Sequence, residues 1–438
     1  MTTRRIIRRG GPRPATTLTL SQEHIRAQHP ALRAHREEAW AIFQELPWPS
    51  RQDEPWRRTD IRRMPKQVTL AQGTEAPEPP SDLLRALTDE GPAGELILHG
   101  PRVHTWVLKQ ELVEQGVRFL PLDRADVEMG DWLAERLGRM VRPAEGKFAA
   151  LAHALAQNGA VLYVPAGVRI ARPLHILLWG PGEARSFIDQ VLLWLEDGAQ
   201  ATVVIEYASP TAGGPSLHVG TVEVHAGPAA RLHLAELQSW GEHMWHFSHE
   251  RVRVQRDAEV HWIYGGVGSR LTKAFLEVDL VEQGATAYIS GFYFGHGRQH
   301  LDHDTQQNHL APHTTSDLLF KGALKDQARS VWQGMIYVAP EAQHTDGYQA
   351  NRNLILSREA RVDSIPGLEI MANDVRCTHG ATLGRIDEEQ VFYLRTRGLS
   401  ETEARRLIIE GFFEEVLARL PYESVRTRFH DVLEAKMG

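Results

Sequence analysis

The chain has 438 residues, 42% hydrophobic and 24% charged, with 49 Lys and Arg against 56 Asp and Glu for a formal net charge of −7. This is the profile of an ordinary soluble globular protein of two or three domains, with no basic surplus that would point to nucleic acid. A single cysteine excludes an internal disulfide and any iron–sulfur cluster held by four of the chain's own thiolates; no apolar run approaches the roughly 18 residues of a membrane-spanning helix, so a cytoplasmic protein without membrane contact is expected.

Residues 1–17 carry Arg4, Arg5, Arg8, Arg9 and Arg13 but no apolar stretch. That excludes a secretory signal and reads as a disordered, solvated basic tail, with a transit peptide or anion-binding arm as alternatives. Residues 18–145 read as an N-terminal domain, mostly helical with loops. Ser21-Gln22-Glu23-His24 opens a segment rich in Ala, Arg, Glu and Gln that Pro47 stops after Leu46. Glu75 to Ser81 is a proline-rich loop, and Phe148 to Asn158 reads as a further helix with Gly159 as its C-cap.

From Ala160 the texture changes to short alternating strands: Val222/Val224, Leu232/Leu234, Val252/Val254, Val260/Trp262 and Leu276/Val278/Leu280. A turn residue followed by Ala recurs between them, at Gly198-Ala199, Pro228-Ala229, Asp257-Ala258 and Gly284-Ala285, about 27 to 30 residues apart. Gln327-Ala328, Glu359-Ala360 and Asp374-Val375 continue the unit less regularly. A sandwich would also show evenly spaced turns, but a run this long without helix fits a β-solenoid better over residues 146–386. Gly265-Gly266-Val267-Gly268 reads as a turn between strands. Residues 387–438 return to helix: Asp387-Glu388-Glu389-Gln390 and Ser400-Glu401-Thr402-Glu403 are capping-box patterns. The second leads into a helix ending at Leu420 before Pro421, with an apolar stripe of Ala404, Leu407, Ile408, Phe412, Val416 and Leu420 expected to pack on the solenoid end.

Cys377 stands two residues before His379, so a strand would project thiol and imidazole from one face, where both can ligate iron. Two ligands do not make a site, and a lone buried cysteine is more often a small hydrophobe. The surrounding segments are more specific: Asn353 to Ser357, Pro366 to Ile370, Asn373 to Thr382 and Phe392 to Gly398, with Gln299 to Asp302 and Asn308 to Thr314 upstream. Pro47-Trp48-Pro49 and Glu54 to Asp60 (Glu-Pro-Trp-Arg-Arg-Thr-Asp) complete the set. Together they resemble the SufB/SufD family, the scaffold proteins of SUF iron–sulfur cluster assembly. SufB-type chains carry a cysteine where this one has Asn351 and a glutamate where it has Gly380, so the likeness is to the SufD branch.

The resemblance implies a right-handed parallel β-helix flanked by helical domains. It also implies a heterodimer with a SufB-type homologue, a SufC-type ATPase docked on residues 387–438, and a transient cluster at the interface between the two homologues. On this reading His379 is a metal ligand or proton-handling group shared with the partner subunit, and Cys377 is a second candidate. The face bearing Arg405, Arg406, Glu410 and Glu414 is the expected ATPase contact. The isolated chain could pair with itself instead, as a homodimer mimicking the heterodimer.

Other constellations are weaker. His296, His300, His303, His309 and His313, with Asp302 and Asp304, are the densest polar cluster, and the rival reading is a stand-alone His-ligated metal enzyme. Strand alternation would send His300 and His303 to opposite faces, however. Glu388/Glu389 and Glu414/Glu415 are successive on helices and read as solvated. No phosphate-binding Gly-x-x-x-x-Gly-Lys loop or Gly-x-Ser-x-Gly elbow occurs, so neither ATP hydrolysis nor acyl transfer is expected of this chain. A solenoid carbohydrate enzyme would need converging carboxylates, which the sequence lacks.

Overall fold

Parallel strands cannot be joined by tight hairpins; strands recurring about every 28 residues must each travel round and stack on their predecessor. The computed structural model describes residues 18–437 apart from 73–76, 82, 85–90, 183 and 212. The basic tail at 1–17 lies outside the described residues. Sixteen strands between Asn158 and Arg385 alternate between two parallel sheets, two per turn, making eight turns of a β-helix. Register carries Arg231, Glu259, Thr286, Thr315 and Asp346 in one file, with steps of 28, 27, 29 and 31 residues.

The turns explain the recurring sequence unit. Gly167, Gly198, Ala229, Asp257, Gly284, His313 and His344 all hold φ between 55° and 77°, the left-handed region. Most of them donate their backbone N–H to a carbonyl of the next turn, as Gly198 does to Pro228 and Asp257 to Gln283. The residue that follows is buried at Ala199, Ala230, Ala258 and Ala285. The unit expected at Pro228-Ala229 is therefore shifted by one: Ala229 takes the left-handed position and Ala230 the buried one. Gln327-Ala328 and Glu359-Ala360 looked irregular because they precede Arg329–Val338 and Arg361–Ile370, strands of the other sheet, and so lie on the opposite edge of the coil. Gly265 and Gly266 end a strand rather than form a turn, and a Cβ at Gly265 would stand 2.6 Å from the Phe292 ring.

The expected alternating pairs point inward. Val222, Val224, Leu232, Leu234, Val252, Val254, Val260, Leu276, Val278 and Leu280 join one buried core between the sheets. The N-terminal region is less helical than its composition implies. Helix Pro30–Glu45, with Pro30 at its first turn, ends before Pro47 as expected. Gly94–His99, Arg102–Leu108 and Arg118–Pro121, however, are strands. Gly94–His99 and Arg118–Pro121 pair with solenoid strands and Arg102–Leu108 pairs with Gly94–His99, so pairing overrides local preference. The helix at Lys147–Leu155 closes before Asn158, and Gly159 lies inside the next strand. There a Cβ would meet the Gln190 carbonyl oxygen at 1.8 Å, so close backbone approach demands the glycine.

The two ends of the coil differ. At the first end, Arg118–Pro121 pairs antiparallel with Asn158–Val164, and Arg102–Leu108 pairs antiparallel with Gly94–His99. At the other, Arg361–Ile370 and Val375–Arg385 are the outermost strands of their sheets. The outer faces are covered by helices. Pro30–Glu45 and Lys147–Leu155 pack with Ile188, Leu192, Leu217, Val219 and Phe247 of the first sheet. Glu388–Thr396, Glu401–Leu417 and Glu423–Met437 pack with Val204, Ile263, Phe292, Phe294 and Leu319 of the second.

The C-terminal helices thus cover the side of the solenoid, not its end. The buried stripe of Glu401–Leu417 is Ala404, Ile409, Phe413, Val416 and Leu417, while Leu407 is 48% exposed and Ile408 and Phe412 are only partly covered. The helix is turned from the expected stripe because it is wedged between the sheet and helix Glu423–Met437. Ser400 and Glu403 form the expected reciprocal cap, and Asp387 caps Glu388–Thr396 through the Glu389 amide. Glu415 is not merely solvated: it pairs with Lys321 (2.5 Å) and Arg352 (3.1 Å) and pins the helix to the sheet.

Two motifs distant in sequence meet on the first sheet's outer face. Trp56 stacks on Phe148, with ring centroids 5.5 Å apart, and touches Phe247 and Phe275. Thr59 donates to the Asp302 carboxylate and lies 2.8 Å from His300 Nε2. Lys273, fully buried, bonds Asp302 at 3.0 Å and Asp304 at 3.1 Å.

Burial keeps many histidines neutral: His35, His225, His300 and His309 fall to about 4, and His218, His249 and His303 to about 3. A lowered histidine pKa contributes stability in full above the unfolded value near 6.5 and loses it as pH falls below that toward the folded value. Buried carboxyls act in the opposite sense, with Glu223 raised to about 7 and Asp189, Glu236 and Glu250 also raised, but they are fewer. The urea midpoint is therefore expected to drop between pH 6.5 and 4.5, with net proton uptake on unfolding. A midpoint that holds or rises over this range would contradict neutral burial of the histidines.

Candidate functional site

The terminal turn carries the residues singled out by sequence. Register sets Cys377 beside Gly347 and His379 beside Gln349, on the inward-facing positions of Val375–Arg385. Spacing by two thus places them on one face, as strand geometry requires. Their surroundings differ. Cys377 is half-buried against Ile336, Val338 and Ala342, and burial pushes its thiol pKa up, so it is protonated at neutral pH. His379 is exposed.

Gly347 shapes this corner. A Cβ there would stand 3.2 Å from Cys377 Sγ and 3.4 Å from His309 Nε2, so thiol and imidazole border the same small space. His309 is committed elsewhere, with Nδ1 2.7 Å from Thr314 Oγ1 and Nε2 2.8 Å from Ser316 Oγ. A Cβ added at Gly380, beside His379, would have nothing within 4 Å, so packing does not require glycine there. Asn351 is fully buried: its amide nitrogen donates to Tyr293 Oη (3.2 Å) and the Phe320 carbonyl (3.3 Å), and its oxygen accepts from Asn353 (2.6 Å) and Ser364 (2.8 Å).

Sequence reasoning missed the polar side chains of the interior. Among its aliphatic side chains, early and middle turns bury Asp189, His218, Glu236, His246 and Glu250 on inward positions, with His218 Nε2 2.5 Å from Asp189 Oδ2. Toward the open end His303, Thr305, Gln307, His309, Gln349, Asn351 and Asn353 also face inward and are buried. Several of their polar atoms lack a hydrogen-bond partner among the described residues, including both ring nitrogens of His303, Gln307 Oε1 and Gln349 Oε1. Unpaired buried polar groups are costly, so this interior is adapted to something other than stability. The available signals were the period-two polar runs His246-Ser248-Glu250 and His303-Thr305-Gln307-His309.

The histidine cluster does not assemble. His303 and His309 point inward, His300, Asp302 and Asp304 sit on the outer face, and His296 and His313 lie in turns. His296 contacts Glu242 (3.3 Å) and Lys436 (3.2 Å); His313 stacks on His344. No metal-ligating trio forms from them among the described residues, and the stand-alone metal-enzyme reading loses its site.

The charges of the expected ATPase face are paired within the domain. Arg405 pairs with Glu388 (2.9 Å) and Glu401 (3.1 Å), and Arg406 with Glu410 (2.7 Å) and Glu434, so these charges tie the three helices together. Glu414 is exposed. The conspicuous outward groups on these helices are apolar: Phe392 is 68% exposed, Tyr393 56% and Leu407 48%.

Comparison with known proteins agrees with this architecture. Residues 179–412 match the family described as the SUF system FeS cluster assembly SufBD core domain, and residues 19–176 match the SufBD protein N-terminal region. An iron–sulfur cluster assembly SufBD family protein of Mycobacterium leprae is 30% identical over 397 residues, covering 89% of this chain and 90% of that protein. A SufBD family protein of Mycobacterium tuberculosis is 31% identical over 310 residues, covering 69% of this chain and 77% of that one. The protein of Bacillus subtilis named iron–sulfur cluster assembly protein SufB is 28% identical over 316 residues, covering 72% and 68% respectively.

As the sole thiol, Cys377 gives an unambiguous labelling signal. Half-burial and a raised pKa predict alkylation at pH 7 at least tenfold slower than a free peptide thiol, with a rate that climbs with pH past the free-thiol value. Labelling as fast as a free thiol would show the side chain to be open and activated.

Proposed function

Because this chain belongs to the SufBD family of iron–sulfur cluster assembly proteins, we propose that it is a non-catalytic scaffold subunit of the SUF system. It pairs through the open end of its β-helix with a SufB-type homologue, and a nascent cluster forms where the two ends meet. The observation that carries this reading is the end itself. Two ten-residue-scale strands, Arg361–Ile370 and Val375–Arg385, leave one edge each without a partner strand among the described residues, and Leu368, Ile370, Met371 and Leu383 are exposed there. Long uncovered edges with apolar side chains invite pairing with another chain.

His379 and Cys377 lie at that same edge. One thiol and one imidazole cannot hold a cluster, so the partner supplies the remaining ligands. His379, exposed, acts as ligand or proton-handling group; Cys377, protonated and half-buried, serves only after deprotonation and rearrangement at the interface. The cluster is cargo, built and passed on. Assignment to the SufD branch rests on Asn351 and Gly380, which stand where SufB-type chains carry a thiol and a carboxylate.

A SufC-type ATPase docks on the C-terminal helices, which lie on the side of the solenoid and leave its end free. The contact centres on Phe392, Tyr393 and Leu407 rather than on Arg405, Arg406 and Glu410, whose charges are already paired within the domain. Movement of the ATPase then opens the interface and exposes the cluster. In isolation, two copies of this chain could use the same edges as a symmetric pair.

The test is co-expression with SufB- and SufC-type proteins, followed by size exclusion and anaerobic absorption spectra. A ternary complex is expected, with His379→Ala lowering Fe–S absorption severalfold while assembly persists. Unchanged cluster content would remove His379 from the chemistry, and no association would overturn the scaffold reading. Phe392→Glu is expected to weaken ATPase co-elution at least tenfold, about 1.4 kcal/mol, without disturbing the homologue pair. Full retention of the ATPase would move its contact elsewhere.

A further inference from the structure

The capped end of the β-helix holds a second group of metal-ligating side chains, remote in the fold from Cys377 and His379. Strand Gly94–His99 and strand Arg102–Leu108 form an antiparallel hairpin around Gly100-Pro101, which brings His99 and His104 together with ring centroids 4.7 Å apart. Glu78, from the preceding loop, joins them: its Oε2 lies 3.8 Å from His99 Nε2 and 3.4 Å from His104 Nε2. The two imidazole nitrogens and the carboxylate oxygen all stand within 4.8 Å of one another.

We propose that Glu78, His99 and His104 bind a divalent cation of borderline softness, with Zn2+ the best match. Two imidazoles and a carboxylate are a recurrent zinc donor set, and three protein ligands leave a fourth position for water or another group. A tetrahedral shell with bonds of about 2.0–2.2 Å spaces its ligand atoms roughly 3.3–3.6 Å apart, close to the separations present.

Three independent features point to a ligand rather than a chance cluster. His99 Nε2 is inaccessible and has no hydrogen-bond partner among the described residues, in a side chain only 10% exposed and directed at Glu78. His104 Nδ1 is 3.1 Å from Thr105 Oγ1, an outer contact of the kind that fixes a ligating ring and leaves its Nε2 to face Glu78. The loop is pre-set: Trp179 Nε1 donates to the Pro77 carbonyl at 2.7 Å, and Pro79 is buried, so Glu78 is held between two anchored residues. The comparable trio Glu410, His430 and Glu434 differs, because the Arg406 guanidinium pairs with both of its glutamates. Bound metal would clasp the loop 77–80 to the hairpin that closes the β-helix.

The test uses the full-length chain, stripped with chelator and carrying Cys377→Ser and His379→Ala to silence the open end. Titration with Co2+, then displacement by Zn2+ against a chromophoric chelator, reads stoichiometry, geometry and affinity. One equivalent per chain is expected, with the visible bands of tetrahedral Co2+ and micromolar or tighter Zn2+ binding. His104→Ala and Glu78→Gln, both at accessible side chains, should each weaken Zn2+ at least tenfold without altering the far-ultraviolet circular dichroism. Absence of binding, binding untouched by either substitution, or a loss confined to one of them would each overturn the three-ligand site.

Discussion

Everything in this molecule depends on a backbone requirement: each strand of a parallel coil must find its hydrogen-bond partners in the turns before and after it. Inside the coil the requirement is met by repetition, and the left-handed file from Gly167 to His344 keeps successive turns in register by passing an N–H from one to the next. At the ends repetition fails, and the chain treats the two ends differently. Antiparallel strands around Gly94–Pro121 seal the first. Among the described residues the last turn is left with its edges uncovered, although three helices follow it, because those helices fold back along the second sheet.

Polar side chains run through the interior from Asp189 and His218 in the early turns to Gln349 and Asn351 near the open end, where inward positions of the last strand continue as Cys377 and His379. A solenoid fills its interior by alternate residues, so changing every second side chain alters the character of the core without disturbing the coil. The polar run from His303 to His309 costs hydrogen-bonding free energy and contributes nothing that Val or Leu would not supply better. Under the proposed pairing, its position near the open edge gives that cost a functional context.

Much of this was legible in the sequence because it rests on local periodicity. Alternating aliphatics, the turn-plus-alanine unit and the capping box at Ser400 each report a short-range constraint, and each appears where expected to within a residue. What was not legible came from non-local pairing. Gly94–His99 becomes a strand only because Leu174–Trp179 lies beside it, and Pro228-Ala229 could be placed only to within a residue without the register. The helix Glu401–Leu417 buries Ile409 and Phe413 rather than Leu407 because a third helix shares its contact with the sheet. Ion pairs between helices are non-local too: Glu388 and Glu434 meet Arg405 and Arg406 only once the three helices pack.

Asn351 and Gly380 bear on how the two branches of such a family diverge. Gly380 has open space where a side chain would go, so a carboxylate could be gained or lost there in a single mutational step that the fold would not register. Asn351 sits among Tyr293, Phe320, Asn353 and Ser364, and replacing its amide would strand partners that it now satisfies. A substitution at the first position leaves the packing untouched; at the second it must be matched by changes in the residues that now bond the amide.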